Sequence, residues 1–328
     1  MKHRVLCCAF SSEQGPHIDM LPDHGFVCDV VDPAIDLTVA DNLINCLQGY
    51  AAVIAGSEPY PAEVIEGCSE LRVIARAGVG FDVVDLEACD RRGIVLTTTP
   101  GVNHHAVAEQ TIAFLVSLGR NVVHRDRQVR SEIWERQSGP RIWGQTLGLI
   151  GFGRIGQAVA VRGNGLGMNV IAADPFAVPE LAKEMGVQLV DLPQLLSESD
   201  YISLHCPVDE QTYQIINAST IAQMKPGVRL INTARGQLID EPALITALQS
   251  GYVGGAGLDV FDTEPLSANS PLVELDNVIL SGHIAGLDDE SHRDTYLMIV
   301  DTLVRLRDGE WPQEQIRNLP GVTGWAWE

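Results

Sequence analysis

The chain reads as two series of short apolar runs separated by stretches of helical periodicity. In the first hundred residues the runs at 4–9, 25–31, 51–55, 71–75 and 94–97 have the length of strands, and segments near 35–47, 61–66 and 84–91 carry the spacing of helices. Strands buried on both faces are continuously apolar, and their alternation with helices predicts a parallel, doubly wound sheet. A break at Thr99-Pro100-Gly101 is followed by a helical pattern over 102–119 that includes Val107, Ile112, Leu115 and Val116. The segment 120–145 is polar and poorly periodic but contains Trp134 and Trp143, which predicts an arm that buries them elsewhere, against a second subunit for instance. A second βα series follows, with strands near 147–150, 169–173, 187–190, 201–205, 229–232, 255–258 and 278–281. A last amphipathic helix is predicted over 291–307, with Tyr296, Ile299, Val300, Leu303 and Leu306 on one face, able to fold back on the first domain. The tail beyond it, with Trp325 and Trp327, shows no readable pattern.

The run at 147–150 is followed at once by Gly151-Phe152-Gly153-Arg154-Ile155-Gly156. A G-x-G-x-x-G between a strand and a helix is the dinucleotide-binding fingerprint. Gly151 permits the tight turn, Gly153 lets the backbone approach a pyrophosphate, and Gly156 lets helix and strand pack closely. The next predicted strand ends at Asp174, 18 residues beyond Gly156, close to the spacing of about 20 expected for the acid that accepts from a ribose hydroxyl. An acid there repels a 2′-phosphate, so the expected cofactor is NAD. The first βα series has no such glycine fingerprint and is expected to do something else. There a strand ends in Ala77-Gly78-Val79-Gly80, whose backbone N–H groups can meet a substrate anion or make a plain glycine turn.

Composition narrows the partners. With 22 Lys and Arg against 43 Asp and Glu the net charge is −21, which repels nucleic acid and anionic lipid. No apolar run approaches the roughly 20 residues of a membrane helix. The run Val5–Phe10 after a basic start is too short for a signal segment and reads as the first strand. Seven cysteines without a C-x-x-C pair read as reduced thiols of a cytoplasmic protein, and no metal site is expected.

Three charged residues follow later strands of the second series: Arg235, Glu264 and His283. Arg grips a carboxylate through two parallel bonds. His is the acid or base suited to neutral pH, and a carboxylate behind it stabilises the imidazolium. A 2-oxo acid offers both a carboxylate and an adjacent ketone, so the set fits that substrate.

These residues sit in longer motifs: His205-Cys206-Pro207, Asn232-Thr233-Ala234-Arg235-Gly236, Leu258-Asp259-Val260-Phe261 with Glu264-Pro265, and His283-Ile284-Ala285-Gly286. With the glycine loop, Asp174, Arg76-Ala77-Gly78-Val79-Gly80-Phe81-Asp82 and Thr99-Pro100-Gly101-Val102-Asn103, the chain resembles the D-isomer-specific 2-hydroxyacid dehydrogenase family over about residues 50–290. The resemblance implies Arg235 as carboxylate anchor, His283 as acid/base and Glu264 as its partner. It implies cofactor contacts at Gly151, Gly153, Arg154, Ile155, Gly156, Asp174, Cys206, Pro207, Thr233, Ala234, Asp259, Gly286 and Val79, and substrate contacts at Gly78, Val79, Gly80, Arg235 and His283. It further implies a Rossmann NAD domain (102–286) inserted into a flavodoxin-like substrate domain (1–101 with 287–328), and a homodimer formed through the arm near 120–145.

Within the family the chain looks most like phosphoglycerate dehydrogenases, with departures. Ala55 stands where those enzymes carry a phosphate-binding arginine, and Gly282 stands where the family has proline before the catalytic histidine. Three functions stay open on the sequence: a D-2-hydroxyacid dehydrogenase acting on 3-phosphoglycerate, a hydroxypyruvate or glyoxylate reductase of the same family, and an NAD(H)-sensing corepressor on the same fold. An oxidoreductase for another reduced anion, such as phosphite, is a further reading.

Overall fold

The apolar runs become strands because each can be covered on both faces by the helices that connect them. The computed structural model describes residues 3–9 and 14–327; Phe10, the end of the first predicted apolar run, lies outside them. The chain divides into two compact units, Met1–Asn103 with Asp288–Glu328, and His104–Leu287.

In the first unit, β1 (Arg4–Cys7), β2 (Val27–Val30), β3 (Ala52–Ala55), β4 (Val73–Arg76) and β5 (Val95–Thr97) form a parallel sheet in the order β2-β1-β3-β4-β5. That is the flavodoxin-like order, with its switch point between β1 and β3. The strand period of two is visible in the packing. Val5, Cys7, Ala52, Ile54, Val73 and Ala75 join one core with Tyr296, Ile299, Val300, Leu303 and Leu306 of the helix Asp289–Arg307. Leu6, Val53, Ala55 and Ile74 join the other, under the helices Ala40–Leu47, Ala62–Gly67 and Leu86–Arg92.

In the second unit, β6 (Thr146–Ile150), β7 (Asn169–Ala173), β8 (Gln188–Leu189), β9 (Tyr201–Leu204), β10 (Val228–Asn232), β11 (Val253–Leu258) and β12 (Val278–Leu280) form a parallel sheet. Its order is β12-β11-β10-β9-β6-β7-β8. Counted from β6 this is the Rossmann order 3-2-1-4-5-6 with one strand added, and the order reverses between β6 and β9. Two parallel-sheet α/β units are thus present.

Four local features add to or depart from these expectations. The helix His17–Asp23 has no counterpart among the predicted elements. The helix predicted over 35–47 starts only at Ala40, because Asp32 and Asp36 side chains accept from the backbone N–H groups of Ala34 and Thr38 and hold turns there. Within this chain Trp134 and Trp143 are exposed, at 76% and 67%, and the helix Val122–Arg130 has no buried residue. The unreadable tail is packed: Trp327 belongs to the first-unit core, with ring centroids 5.1 Å from His3, 5.7 Å from Phe26 and 5.9 Å from Trp325.

Trp327→Ala should therefore destabilise the first unit by about 3 kcal/mol, the usual scale for emptying a large aromatic site. Denaturant unfolding followed by fluorescence measures it, and an unchanged transition would show that the tail does not support the core.

Candidate active site

Because the second sheet is parallel, every strand delivers the residue after it to one edge: Gly151 after β6, Asp174 after β7, His205 after β9, Thr233 after β10, Asp259 after β11 and Ser281 after β12. Ligands of such sheets bind at that edge, beside the order reversal.

At the reversal the glycine loop is closely fitted. Gly151 has φ +98°, and a Cβ there would lie 2.6 Å from the backbone of His205 and Cys206. A Cβ on Gly156 would lie 2.3 Å from the Gly151 carbonyl oxygen. Gly153 faces open space and is the N-cap of the helix Arg154–Gly165 without a side-chain cap. The N–H groups of that first turn and the positive end of the helix dipole are suited to phosphate. Gly153 and Arg154 are exposed and Ile155 is half-buried. Asp174 accepts from Phe152 N–H through Oδ2 (2.7 Å) and from Phe176 N–H through Oδ1 (2.8 Å). A carboxylate has about four acceptor sites, so two remain for ribose hydroxyls. These residues fit a bound NAD.

On the other side of the reversal, the His205 ring is paired through Nε2 with Ser203 Oγ at 2.9 Å, while its buried Nδ1 has no hydrogen-bond partner. Burial pushes its pKa down to about 3, so the ring is neutral at working pH. Burial likewise pushes the Cys206 thiol up to about 11, which excludes it as a nucleophile. Pro207 is exposed, and its carbonyl accepts from Thr212 Oγ1 at 2.7 Å.

The three charged residues lie further along the same edge. His283 Nδ1 and Glu264 Oε2 are 2.7 Å apart, with both side chains part-exposed. Glu264 Oε1 accepts from Phe261 N–H at 3.0 Å. Partial burial raises the Glu264 pKa, but the bonds from His283 and Phe261 and the charges of His283 and Arg235 outweigh it and hold the carboxyl below its ordinary value. Arg235 is half-buried and donates from Nη1 to the Ala234 carbonyl at 2.7 Å. Thr233, buried beside it, shares a 3.0 Å hydrogen bond with Thr111 of the helix His104–Arg120. A fork, a carboxylate and a histidine whose Nδ1 is engaged together suit proton exchange at Nε2 next to a bound carboxylate.

His283 has φ +55°, a conformation that costs a non-glycine residue about 1–3 kcal/mol. It is held there by Asp259, which has no exposed surface. The Asp259 carbonyl accepts from His283 N–H (2.7 Å), and its carboxylate accepts from Ile284 N–H (2.9 Å), Ala285 N–H (2.8 Å) and the Ser281 hydroxyl. The resemblance assigns Asp259 to cofactor contact; in the structure its visible task is to pin the turn 281–285. The rigidity that Gly282 does not supply comes from this carboxylate. Gly286 follows, half-buried.

The remaining predicted contacts belong to the first unit. Gly78, Val79 and Gly80 follow β4, where Thr99 N–H donates to the Gly78 carbonyl at 3.0 Å, Arg76 Nε donates to the Gly80 carbonyl at 3.1 Å, and Val79 is exposed. Three residues at the second unit's edge escaped the sequence reading: Asn232, Gly236 and Ser203. Asn232 and Gly236 stand in the motif around Arg235 without an assigned role there, and Ser203 leaves no signal.

Comparison with known proteins gives the family and the fold. The model of the D-isomer specific 2-hydroxyacid dehydrogenase NAD-binding domain matches residues 112–285. A glyoxylate reductase of Korarchaeum cryptofilum is 40% identical over 262 residues, 78% of this chain and 79% of that protein. A D-3-phosphoglycerate dehydrogenase of Archaeoglobus fulgidus is 39% identical over 285 residues, 86% of this chain but 54% of that protein, so the chain spans about half its length. The crystal structure of a D-lactate dehydrogenase from Aquifex aeolicus complexed with NAD and lactic acid superimposes with a TM-score of 0.84 at 30% identity, covering 97% of this chain and 100% of that one.

The glycine contacts separate folding from binding. Gly151→Ala should lower the Tm by several degrees and weaken NADH binding. Gly153→Ala, with open space at its Cβ, should leave the Tm unchanged and weaken NADH binding at least about tenfold, the loss of one or two charged hydrogen bonds. Thermal melts and NADH fluorescence titration check both; normal NADH binding by Gly153→Ala would remove the loop from phosphate contact.

Proposed function

The chain belongs to the D-isomer-specific 2-hydroxyacid dehydrogenase family, and from that premise we propose that Arg235, Glu264 and His283 carry its reaction, with an unphosphorylated short 2-oxo acid as substrate. It is an NAD-dependent oxidoreductase of 2-hydroxy acids. The observation that carries the assignment of roles is the 2.7 Å contact between His283 Nδ1 and Glu264, with Arg235 close enough to act on the Glu264 carboxyl.

In the direction of reduction, the bound cofactor supplies a hydride to C2 of the 2-oxo acid. Arg235 holds the substrate carboxylate by its fork. His283, with Nδ1 occupied by Glu264, gives its Nε2 proton to the keto oxygen. Glu264 stabilises the imidazolium before the transfer and keeps the ring oriented, and in the reverse direction His283 takes the hydroxyl proton. The αL backbone of His283, locked by Asp259, means the ring needs little reorganisation at the moment of transfer.

The substrate reading rests on the first sheet. Ala55 closes β3 and is fully buried, and Glu58 beyond it is also buried, accepting from Gly56 N–H (3.0 Å) and the Tyr60 hydroxyl (2.7 Å). The β3 end thus carries an acid and no cation of its own; Arg76, paired in register with Ala55 from β4, donates through Nε to the Gly80 carbonyl, and the acid at this edge favours an unphosphorylated side chain. A homodimer through the arm near 120–145 is part of the proposal: Val122, Val129, Ile133, Trp134 and Trp143 stand exposed there, a patch that a second copy would cover. Seven free thiols support a reducing, cytoplasmic setting.

A steady-state NADH-oxidation assay should show turnover of glyoxylate or hydroxypyruvate in preference to 3-phosphohydroxypyruvate. Tight NADH binding without turnover of any 2-oxo acid would favour a sensor instead. His283→Ala should lower kcat by about 10²–10⁴-fold with NADH binding intact. Arg235→Ala should raise KM for the 2-oxo acid by about 10–10²-fold.

The depressed Glu264 pKa fixes a pH window. The Glu264 carboxyl is ionised above the ordinary carboxylate value of about 4.3, and the stabilisation from that charge is lost only as pH falls through the lower folded value. Reduction should therefore show no acid-side loss due to Glu264 above about pH 5. A loss in that range that disappears in Glu264→Gln would contradict the assignment.

A further inference from the structure

Asn232 ends β10 with no exposed surface, and both ends of its side chain are spent on the turn that follows. Nδ2 donates to the Arg235 carbonyl at 2.7 Å, and Oδ1 accepts from Ala234 N–H at 3.0 Å. A buried amide with matched donor and acceptor locks a three-residue turn more firmly than its sequence, Thr233-Ala234-Arg235, could alone. The main chain of Asn232 faces the neighbouring strand end: its carbonyl accepts from Asp259 N–H at 2.9 Å. Asp259 in turn holds His283.

The other side of Arg235 is fixed as tightly. A Cβ on Gly236 would lie 1.9 Å from the Phe261 carbonyl, so the turn carrying Arg235 lies directly on the backbone of the loop carrying Glu264. Phe261 N–H is itself a donor to Glu264. Arg235 therefore leaves the sheet edge between two constraints, the Asn232 amide before it and the Gly236 contact after it.

We propose that Asn232 is a positioning residue that aims the Arg235 guanidinium and so sets affinity for the carboxylate of the 2-oxo acid. This rests on the reading of Arg235 as carboxylate anchor. Asn232 acts through Arg235 and touches neither substrate nor the reacting atoms. Loss of its donor leaves the Arg235 carbonyl with only the 3.3 Å bond from Leu238 N–H and lets the turn relax, which misdirects the fork while leaving the glycine loop and Asp174, two and three strands away in the sheet, as they were.

The test is a KM-against-kcat split with NADH binding and Tm measured alongside. Asn232→Ala should raise KM for the 2-oxo acid at least tenfold, change kcat less than threefold, and raise the NADH dissociation constant, through Thr233 and Ala234 of the same turn, much less than it raises KM. In an Arg235→Ala background the same substitution should add nothing to KM, because the group it aims is gone. Asn232→Asp keeps the acceptor for Ala234 and loses the donor to Arg235; it should reproduce the KM effect and serves where Asn232→Ala fails to fold.

An unchanged KM in whichever variant folds, with a lowered Tm, would overturn the proposal and leave Asn232 a structural residue. So would additive effects of the two substitutions on KM, or equal losses in substrate and NADH binding. If Arg235→Ala alone leaves KM unchanged, it is the anchor reading that fails, and this proposal with it; a normal KM in the Asn232 variants beside a raised one in Arg235→Ala sinks only the positioning role.

Discussion

In a parallel sheet all strands end at the same edge, and in the second unit that edge gathers residues from 151 to 281 in one row. The row exists only because the crossovers return each strand in the same direction, and it opens into a binding crevice only where the order reverses between β6 and β9. Gly151 makes the reversal tolerable: a side chain there would collide with the backbone at the end of β9. The cofactor loop and the catalytic candidates thus depend on one geometric condition, the close approach of strand ends.

Close approach leaves polar groups buried, and at Asp259 and Asn232 the structure answers them with specific partners. Asp259 is a carboxylate without exposed surface, which is tolerated only because main-chain N–H groups and a hydroxyl saturate it. The same bonds hold His283 in a backbone conformation it would otherwise avoid. Asn232 does the equivalent for the turn before Arg235. Stability and preorganisation are here the same set of hydrogen bonds, since a loosened anchor would free both a buried charge and a catalytic side chain.

The charge distribution follows a similar division. A chain of net charge −21 repels anions in general, so an acidic substrate must be held by a local cation. Arg235 sits at the sheet edge beside an acid that its own charge helps keep ionised. Neighbouring ionisable groups are excluded from the chemistry by burial: the His205 ring is neutral and the Cys206 thiol protonated. One histidine of the edge, His283, is left half-exposed and engaged with a carboxylate.

Much of this was legible along the chain. Strands of a doubly wound sheet are short apolar runs, and a G-x-G-x-x-G after such a run is read within a dozen residues, so the two βα series, the glycine loop, Asp174 and the trio Arg235, Glu264 and His283 were all determined by local pattern. What local pattern cannot carry is contact between residues far apart in sequence. The fit of Gly236 against Phe261, the grip of Asp259 on the turn after β12, and the orphaned Nδ1 of His205 arise only when strand ends are brought side by side. For the same reason the aromatic tail looked patternless although Trp327 fills the first-unit core, and the arm's tryptophans looked destined for burial that this chain alone does not provide. The sequence by itself determined which chemistry is present; the tertiary structure decided how each group is held, because orientation depends on buried hydrogen bonds whose two partners share no window of sequence.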